Sequence, residues 1–155
     1  IDLNTVVRDA ARLVHGDCLL RRITLVLDLE APLPPVRCDR VQIEQILLNL
    51  IVNGFEAMQD TVAVDRRMII RSRADAAEKR CVISVRDAGT GIGPESSERL
   101  FEQFFSTKPE GLGMGLSIAR SIVSAHGGTI WATNNTDQGA TFHLALPIAP
   151  EQEEA

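Results

Sequence analysis

Apolar residues recur along this chain with two different periods, and the switches between them mark out its elements. Over residues 3–15, Val6, Val7, Ala10, Ala11, Leu13 and Val14 share one stripe, with Arg8, Asp9 and Arg12 opposite, which is the spacing of an amphipathic helix. Ile23 to Leu29 is β-branched and Leu-rich and stops at Pro32-Leu33-Pro34-Pro35, so it reads as a strand and a turn. Asp39 is placed to cap a long helix running to about Met58, with Val41, Ile46, Leu47, Leu50, Ile51 and Phe55 as its core face. Met68 to Ala74 and Cys81 to Arg86 flank the polar stretch 75–79 and read as a β-hairpin. Leu116 to Ala125 is helical again, with Gly127-Gly128 suited to a left-handed cap. Thr129 to Thr133 and Ala140 to Leu146 form a last strand pair around the polar turn 134–139. The expected fold is α/β, a two-layer sandwich of a mixed sheet with helices on one face.

Composition narrows the field without changing that picture. The 155 residues, 45% apolar and 24% charged, are near globular averages and suit one domain. Its expected extent is 1–148, followed by an acidic, solvated tail at 149–155. A net charge of −5 argues against a general nucleic-acid binder, whose affinity rests on clustered Lys and Arg. Cys18, Cys38 and Cys81 are isolated and odd in number, which disfavours a disulfide framework or a zinc site and suggests reduced core thiols. No apolar run approaches the ~18 residues of a membrane span, so a cytoplasmic location is expected. The chain opens at Ile1-Asp2-Leu3 without a Met, as a piece of a longer protein would.

Three polar patterns fall outside the core. On the long helix, Gln42, Gln45, Asn49, Asn53 and Glu56 recur every three or four residues. That is either a plain solvated face or a ligand face, because neutral amides of modest helix propensity are unusual on a water-facing stripe. Next, Asp87-Ala88-Gly89-Thr90-Gly91-Ile92-Gly93 follows a strand directly. Its glycines permit tight turns and close backbone approach, and it is neither a Walker loop nor a dinucleotide fingerprint. Asp87 fits two roles, stabiliser of the turn or acceptor for an exocyclic amine such as that of adenine. Finally, Gly111-Leu112-Gly113-Met114-Gly115 runs into the helix at Leu116, aiming free N–H groups and the positive helix end at an anion. Lys108, just before it, reads equally as a phosphate contact or a solvated lysine. Phe101, Phe104 and Phe105 read as the anchor of a lid or as a patch on the core.

Taken in order, these patterns resemble the N, G1, F, G2 and G3 boxes of histidine-kinase catalytic domains, which belong to the GHKL superfamily with gyrase, MutL and a heat-shock chaperone. The matching stretches are Asn49 to Ala57, Asp87 to Gly93, Phe101 to Lys108, Gly111 to Gly115 and Gly139 to Thr141. The likeness covers about Ile1 to Pro147 and is greatest for kinases of the oxygen- and nitrogen-sensing type. It implies a Bergerat-type sandwich with a mainly antiparallel sheet, binding ATP and Mg²⁺. By the resemblance Asn53 coordinates the metal, Asp87 binds the adenine amine, and Thr141 helps to seat the base. Asn49 and Lys108, the expected catalytic pair, approach the phosphates, and the backbone from Gly111 to Gly115 wraps them, with Gly89, Gly91, Gly93, Thr107, Leu112, Met114 and Leu116 also expected to bind the nucleotide. Gly54 stands where relatives usually have Ala, Gln103 where many have Pro, and Gly139-Ala140-Thr141 replaces a commoner Gly-Thr pairing.

Members that hydrolyse ATP resemble one another in a Glu at the position of Asn49, where a carboxylate can activate water. Asn cannot, which favours phosphoryl transfer to histidine, a reaction that mainly needs positioning and charge compensation. An ATPase and a nucleotide-binding scaffold are the alternatives. His15, His126 and His143 precede Gly16, Gly127 and Leu144, whereas the family's acceptor is typically followed by an acidic residue. The resemblance therefore implies an acceptor histidine on a separate dimerisation domain, a response regulator downstream, a homodimeric parent and a monomeric fragment.

Overall fold

A computed structural model describes residues 1–92 and 115–150. Two helices open the chain, α1 (Leu3–Leu13) and α2 (His15–Arg21), where the periodicity predicts only one. Asp2 caps α1 by accepting the Asn4 N–H at 2.9 Å. β1 (Thr24–Leu29) follows, then α3 (Arg40–Ala57), a short 3₁₀ turn (Ala63–Asp65), β2 (Arg67–Asp75), β3 (Arg80–Arg86), α4 (Gly115–Ala125), β4 (Thr129–Asn134) and β5 (Ala140–Pro147).

The strands form one sheet in the order β1-β2-β3-β5-β4. β1 and β2 are parallel across the α3 crossover, and the other three pairings are antiparallel, so the sheet is mixed as expected. Its two faces differ by the period-2 rule. Cys81, Ile83 and Val85 of β3 pair with Leu146, Leu144 and Phe142 of β5, and all six belong to the core under the helices. Their neighbours point the other way: Ser84, Trp131 and His143 are adjacent in register on the outer face, where the Trp131 and His143 rings stack at 5.0 Å.

α3 forms because Asp39 caps it, accepting from the Val41 and Gln42 N–H groups, and because Ile43, Ile46, Leu47, Leu50, Ile51 and Phe55 are buried along one side. Val41, expected on that face, is 72% exposed. It lies five residues before Ile46, well off the apolar stripe at 100° per residue, and Ile43 takes its place. Leu13 is likewise exposed, and α1 instead buries Leu3, Asn4, Val6, Val7, Ala10 and, at its cap, Val14. Asn4 is tolerated there because it donates to the Glu30 carbonyl at 2.7 Å and accepts from the Ser72 hydroxyl at 2.6 Å. α4 ends as predicted, with the Gly127 N–H on Ser124 O and the Gly128 N–H on Val123 O. His126 ties it to α3, accepting the Asp39 N–H at Nε2 and placing Nδ1 2.8 Å from Ile122 O, so Nδ1 carries the proton.

Cys18, Cys38 and Cys81 are free, and burial raises each thiol's pKa. Near the C-terminal end, Ile148 and Ala149 still donate to the carbonyls of Lys79 and Pro35. Residues 151–155 of the expected tail lie outside the described residues. Among the described residues no helix is long and apolar enough to cross a membrane.

Candidate functional site

The site is built where β3 and β5 run out beside the C-terminal half of α3. Asp87 follows Val85 by two positions, so strand alternation turns its side chain to the helix face, and it is only 4% exposed. A carboxylate so buried must be hydrogen-bonded. Oδ1 accepts the Gly89 N–H at 2.9 Å and the Ala140 N–H at 3.2 Å. Its backbone is pinned as well, N–H to Ala140 O at 2.9 Å and C=O receiving Asn135 Nδ2 at 2.9 Å. Burial pushes the carboxyl pKa above its ordinary value, and the two amide donors pull part of that shift back.

The loop after Asp87 lies against α3. At Gly89 a Cβ would come within 2.3 Å of Ala57 O, so any side chain would force the loop off the helix, and glycine is required for the approach rather than for flexibility. The Thr90 N–H then donates to the same carbonyl at 3.3 Å, and the Thr61 hydroxyl holds Ala88 O. Gly139 is equally constrained, with a positive φ and no room for a Cβ beside Asp87 O. Gly54 faces Asp87 from the helix. A Cβ there would lie 3.4 Å from Asp87 Cβ and 2.3 Å from Met68 Cε, so Gly in place of the usual Ala lets Met68 fill the space.

Asn49, Asn53 and Ala57 are spaced i, i+4, i+8 and therefore share one stripe of α3. That stripe leads to the glycine loop through Ala57. Gln42 and Gln45 at its other end are exposed, whereas Asn49, Asn53 and Glu56 are half-buried. Amide oxygens of this kind are hard donors, fitting a cation that keeps waters and phosphate oxygens as its other ligands. Among the described residues no cluster of His, Cys, Asp and Glu could hold a metal by itself.

Structure and expectation part at Thr141. Its hydroxyl donates to Asn135 Oδ1 at 2.5 Å, and its partners across the sheet are Arg86 and Thr133, both one step out of phase with the core residues. Thr141 therefore points to the outer face and does not join Asp87. Ala140 stands there instead and contributes its N–H. The Gly-Ala-Thr segment puts the hydroxyl one position too late, and a one-residue step reverses the face. Asn134 and Asn135, read from sequence only as a polar turn, are site residues by their bonds to Ile92 and Asp87. Nothing in composition or spacing distinguishes them from turn formers.

Gly115 opens α4, and Leu116 packs half-buried against the core. Gly93, Thr107, Lys108, Gly111, Leu112, Gly113 and Met114 lie outside the described residues, as do Phe101, Phe104 and Phe105.

A buried Asp ahead of a glycine loop, beside an amide-bearing helix and over a mixed sheet, defines a class of nucleotide-binding α/β sandwich, and known proteins agree. Residues 38–150 match the family described as "Histidine kinase-, DNA gyrase B-, and HSP90-like ATPase". The chain belongs to that family, and within it to the catalytic domains of sensor histidine kinases. It is 38% identical over 149 residues to the sensor protein FixL of Bradyrhizobium diazoefficiens, covering 96% of this chain and 29% of FixL. The catalytic domain of the histidine kinase ThkA has a TM-score of 0.84 at 30% identity, covering 97% of this chain and 95% of that one. Full-length ShkA in complex with AMPPNP has a TM-score of 0.83 at 27% identity, covering 99% of this chain and 31% of that one. The chain spans less than a third of the length of the curated relatives it matches.

Proposed function

We propose that the domain binds ATP with Mg²⁺ and transfers the γ-phosphoryl group to a histidine on a separate dimerisation domain of the same cytoplasmic signalling protein, a homodimer that serves a response regulator. The observation that carries this reading is Asp87, a buried carboxylate held from behind by two backbone amides, which supports its assignment as the acceptor for an exocyclic amine. Hydrogen bonds to its Oδ1 leave Oδ2 for the ligand, and a Cβ added at Gly54 would lie 3.7 Å from that oxygen, so glycine there leaves its surroundings less crowded. An amine is selected there because a carboxylate is acceptor-only when ionised.

Asn53 is the residue we assign to the metal, with Asn49 one helical turn away directed at the phosphates. Mg²⁺ held by Asn53 would supply the positive charge that offsets the charge developing on the phosphates during transfer. Asn49 offers no carboxylate to take a proton from water, so the chain's own contribution is to orient ATP rather than to drive its hydrolysis. Gly115 and Leu116 put a helix N-terminus at the end of the segment assigned to the phosphates, where Thr107, Lys108 and the 111–114 backbone are assigned as well.

The test is transfer. The domain is mixed with radiolabelled ATP, Mg²⁺ and the histidine-bearing domain of its full-length protein. Acid-labile phosphohistidine on the acceptor, with slow release of free phosphate, is the expected result. Brisk hydrolysis without an acceptor, or nucleotide binding without transfer, overturns it.

A further inference from the structure

From the clasp between β4 and the glycine loop we infer that Asn134 is a positioning residue for the base-binding loop, setting base selectivity without touching the nucleotide. The inference rests on the reading of Asp87 as the base acceptor. Asn134 ends the edge strand β4 and pairs in register with Ala140. Its amide meets one backbone unit twice: Oδ1 accepts the Ile92 N–H at 2.7 Å, and Nδ2 donates to Ile92 O at 3.0 Å. A donor and an acceptor on the same residue admit only one orientation of the amide. The side chain thereby adds a rung of β-type pairing to a loop that belongs to no strand.

The loop is held at both ends by one turn. Asn135, Gly139 and Ala140 fix Asp87, and Asn134 fixes Ile92 five residues later. Between them the loop rests on Ala57. Gly91 takes a φ of +79°, and a Cβ there would approach Asn134 Oδ1 to 3.0 Å, so the clasp also dictates how the chain turns. Release of the Ile92 end would let the loop sample other positions, Gly89 with it, whose N–H holds Asp87 Oδ1, so the acceptor would lose its fixed orientation towards the base along with the loop's preorganisation. Asn134 is itself exposed, so its loss takes nothing from the core and its substitution reads loop geometry rather than stability.

The experiment uses the 155-residue chain with ADP and GDP as probes, titrated calorimetrically against wild type, Asn134→Ala and Asn134→Asp. Loss of two exposed hydrogen bonds is expected to weaken ADP binding about fivefold in Asn134→Ala, with GDP little changed, so that base discrimination narrows. Asn134→Asp keeps the acceptor for the Ile92 N–H and loses the donor, and is expected to fall between. Hydrogen exchange at the Ile92 amide should quicken in Asn134→Ala while the β5 amides stay protected. Equal losses for ADP and GDP that follow a drop in melting temperature, or unchanged discrimination with an unprotected Ile92 amide, would sink the proposal. Failure of the wild-type chain to bind ADP would instead overturn the functional reading beneath it.

Discussion

Asp87 carries opposite demands, since burial opposes its charge while binding an amine requires it. Because its pKa in the folded state lies above the ordinary carboxylate value, the stability linked to this group is fully present below that ordinary value. It is lost as pH rises through the folded-state pKa. Nucleotide affinity should run the other way, rising with pH across the same window as the acceptor ionises. Asp87→Asn retains an oxygen for Gly89 and Ala140 but turns an NH₂ towards the ligand amine. We expect a melting temperature at pH 7 equal to or above wild type, and nucleotide affinity lower by about 10- to 100-fold, the cost of facing donor with donor. Calorimetry on both proteins from pH 4 to 8 checks the two signs together. Thr141→Val makes the complementary case. It removes one hydrogen bond to Asn135 on the outer face, so it should cost about 1 kcal/mol in urea unfolding and change ADP affinity less than threefold. A larger loss of affinity would restore Thr141 to the pocket.

At the scale of elements, the helices lie on the sheet through one apolar core, and polar clasps fix their ends. Arg66 is one such clasp, donating from Nε to Thr61 O at 2.8 Å, from one terminal nitrogen to Arg21 O at 2.7 Å and from the other to Gln59 O at 3.1 Å. A single guanidinium thus serves carbonyls just past the end of α3 and at the end of α2, groups that a helix leaves without internal partners. Arg66→Met keeps the apolar stem and strips the donors. It should cost about 1–3 kcal/mol of unfolding free energy, with a smaller loss of nucleotide affinity, because Thr61, one of its partners, also holds Ala88 O in the glycine loop. A chevron or urea titration alongside ADP binding separates the two effects. Element boundaries were largely legible: Asp39 as cap, the hairpin around 75–79 and the Gly127 stop all lie where the pattern puts them. α2 was not, because Gly16 and the exposed Leu19 and Leu20 carry no amphipathic period.

For the whole molecule, function depends on whether two sets of residues far apart in sequence meet at one cleft. The Asn49 and Asn53 stripe is joined to Asp87 through the contact of Ala57 with Gly89, and α4 is joined to α3 through His126. Asn53→Ala tests this arrangement as a unit. The fold should survive, since Asn53 is only half-buried, and Mg²⁺-dependent transfer to the acceptor domain should fall by at least about tenfold, as for loss of an orienting group at a metal site. Wild-type transfer by this variant would remove Asn53 from the metal.

By itself the sequence determined the mixed α/β sandwich, because hydrophobic periods are local and set which face each element buries. It also determined the order of polar motifs that marks the histidine-kinase family. Tertiary structure decided which side chains share the cleft. Thr141 and Ala140 are adjacent in sequence and lie on opposite faces of β5, so only strand pairing assigns one to Asp87 and the other to the outer face. Asn134 and Asn135 acquire roles only when the turn that bears them closes over a loop more than 40 residues earlier. Long-range contacts of that kind leave no trace in local spacing, since a hydrogen bond to a backbone amide asks nothing of the side chain at its other end.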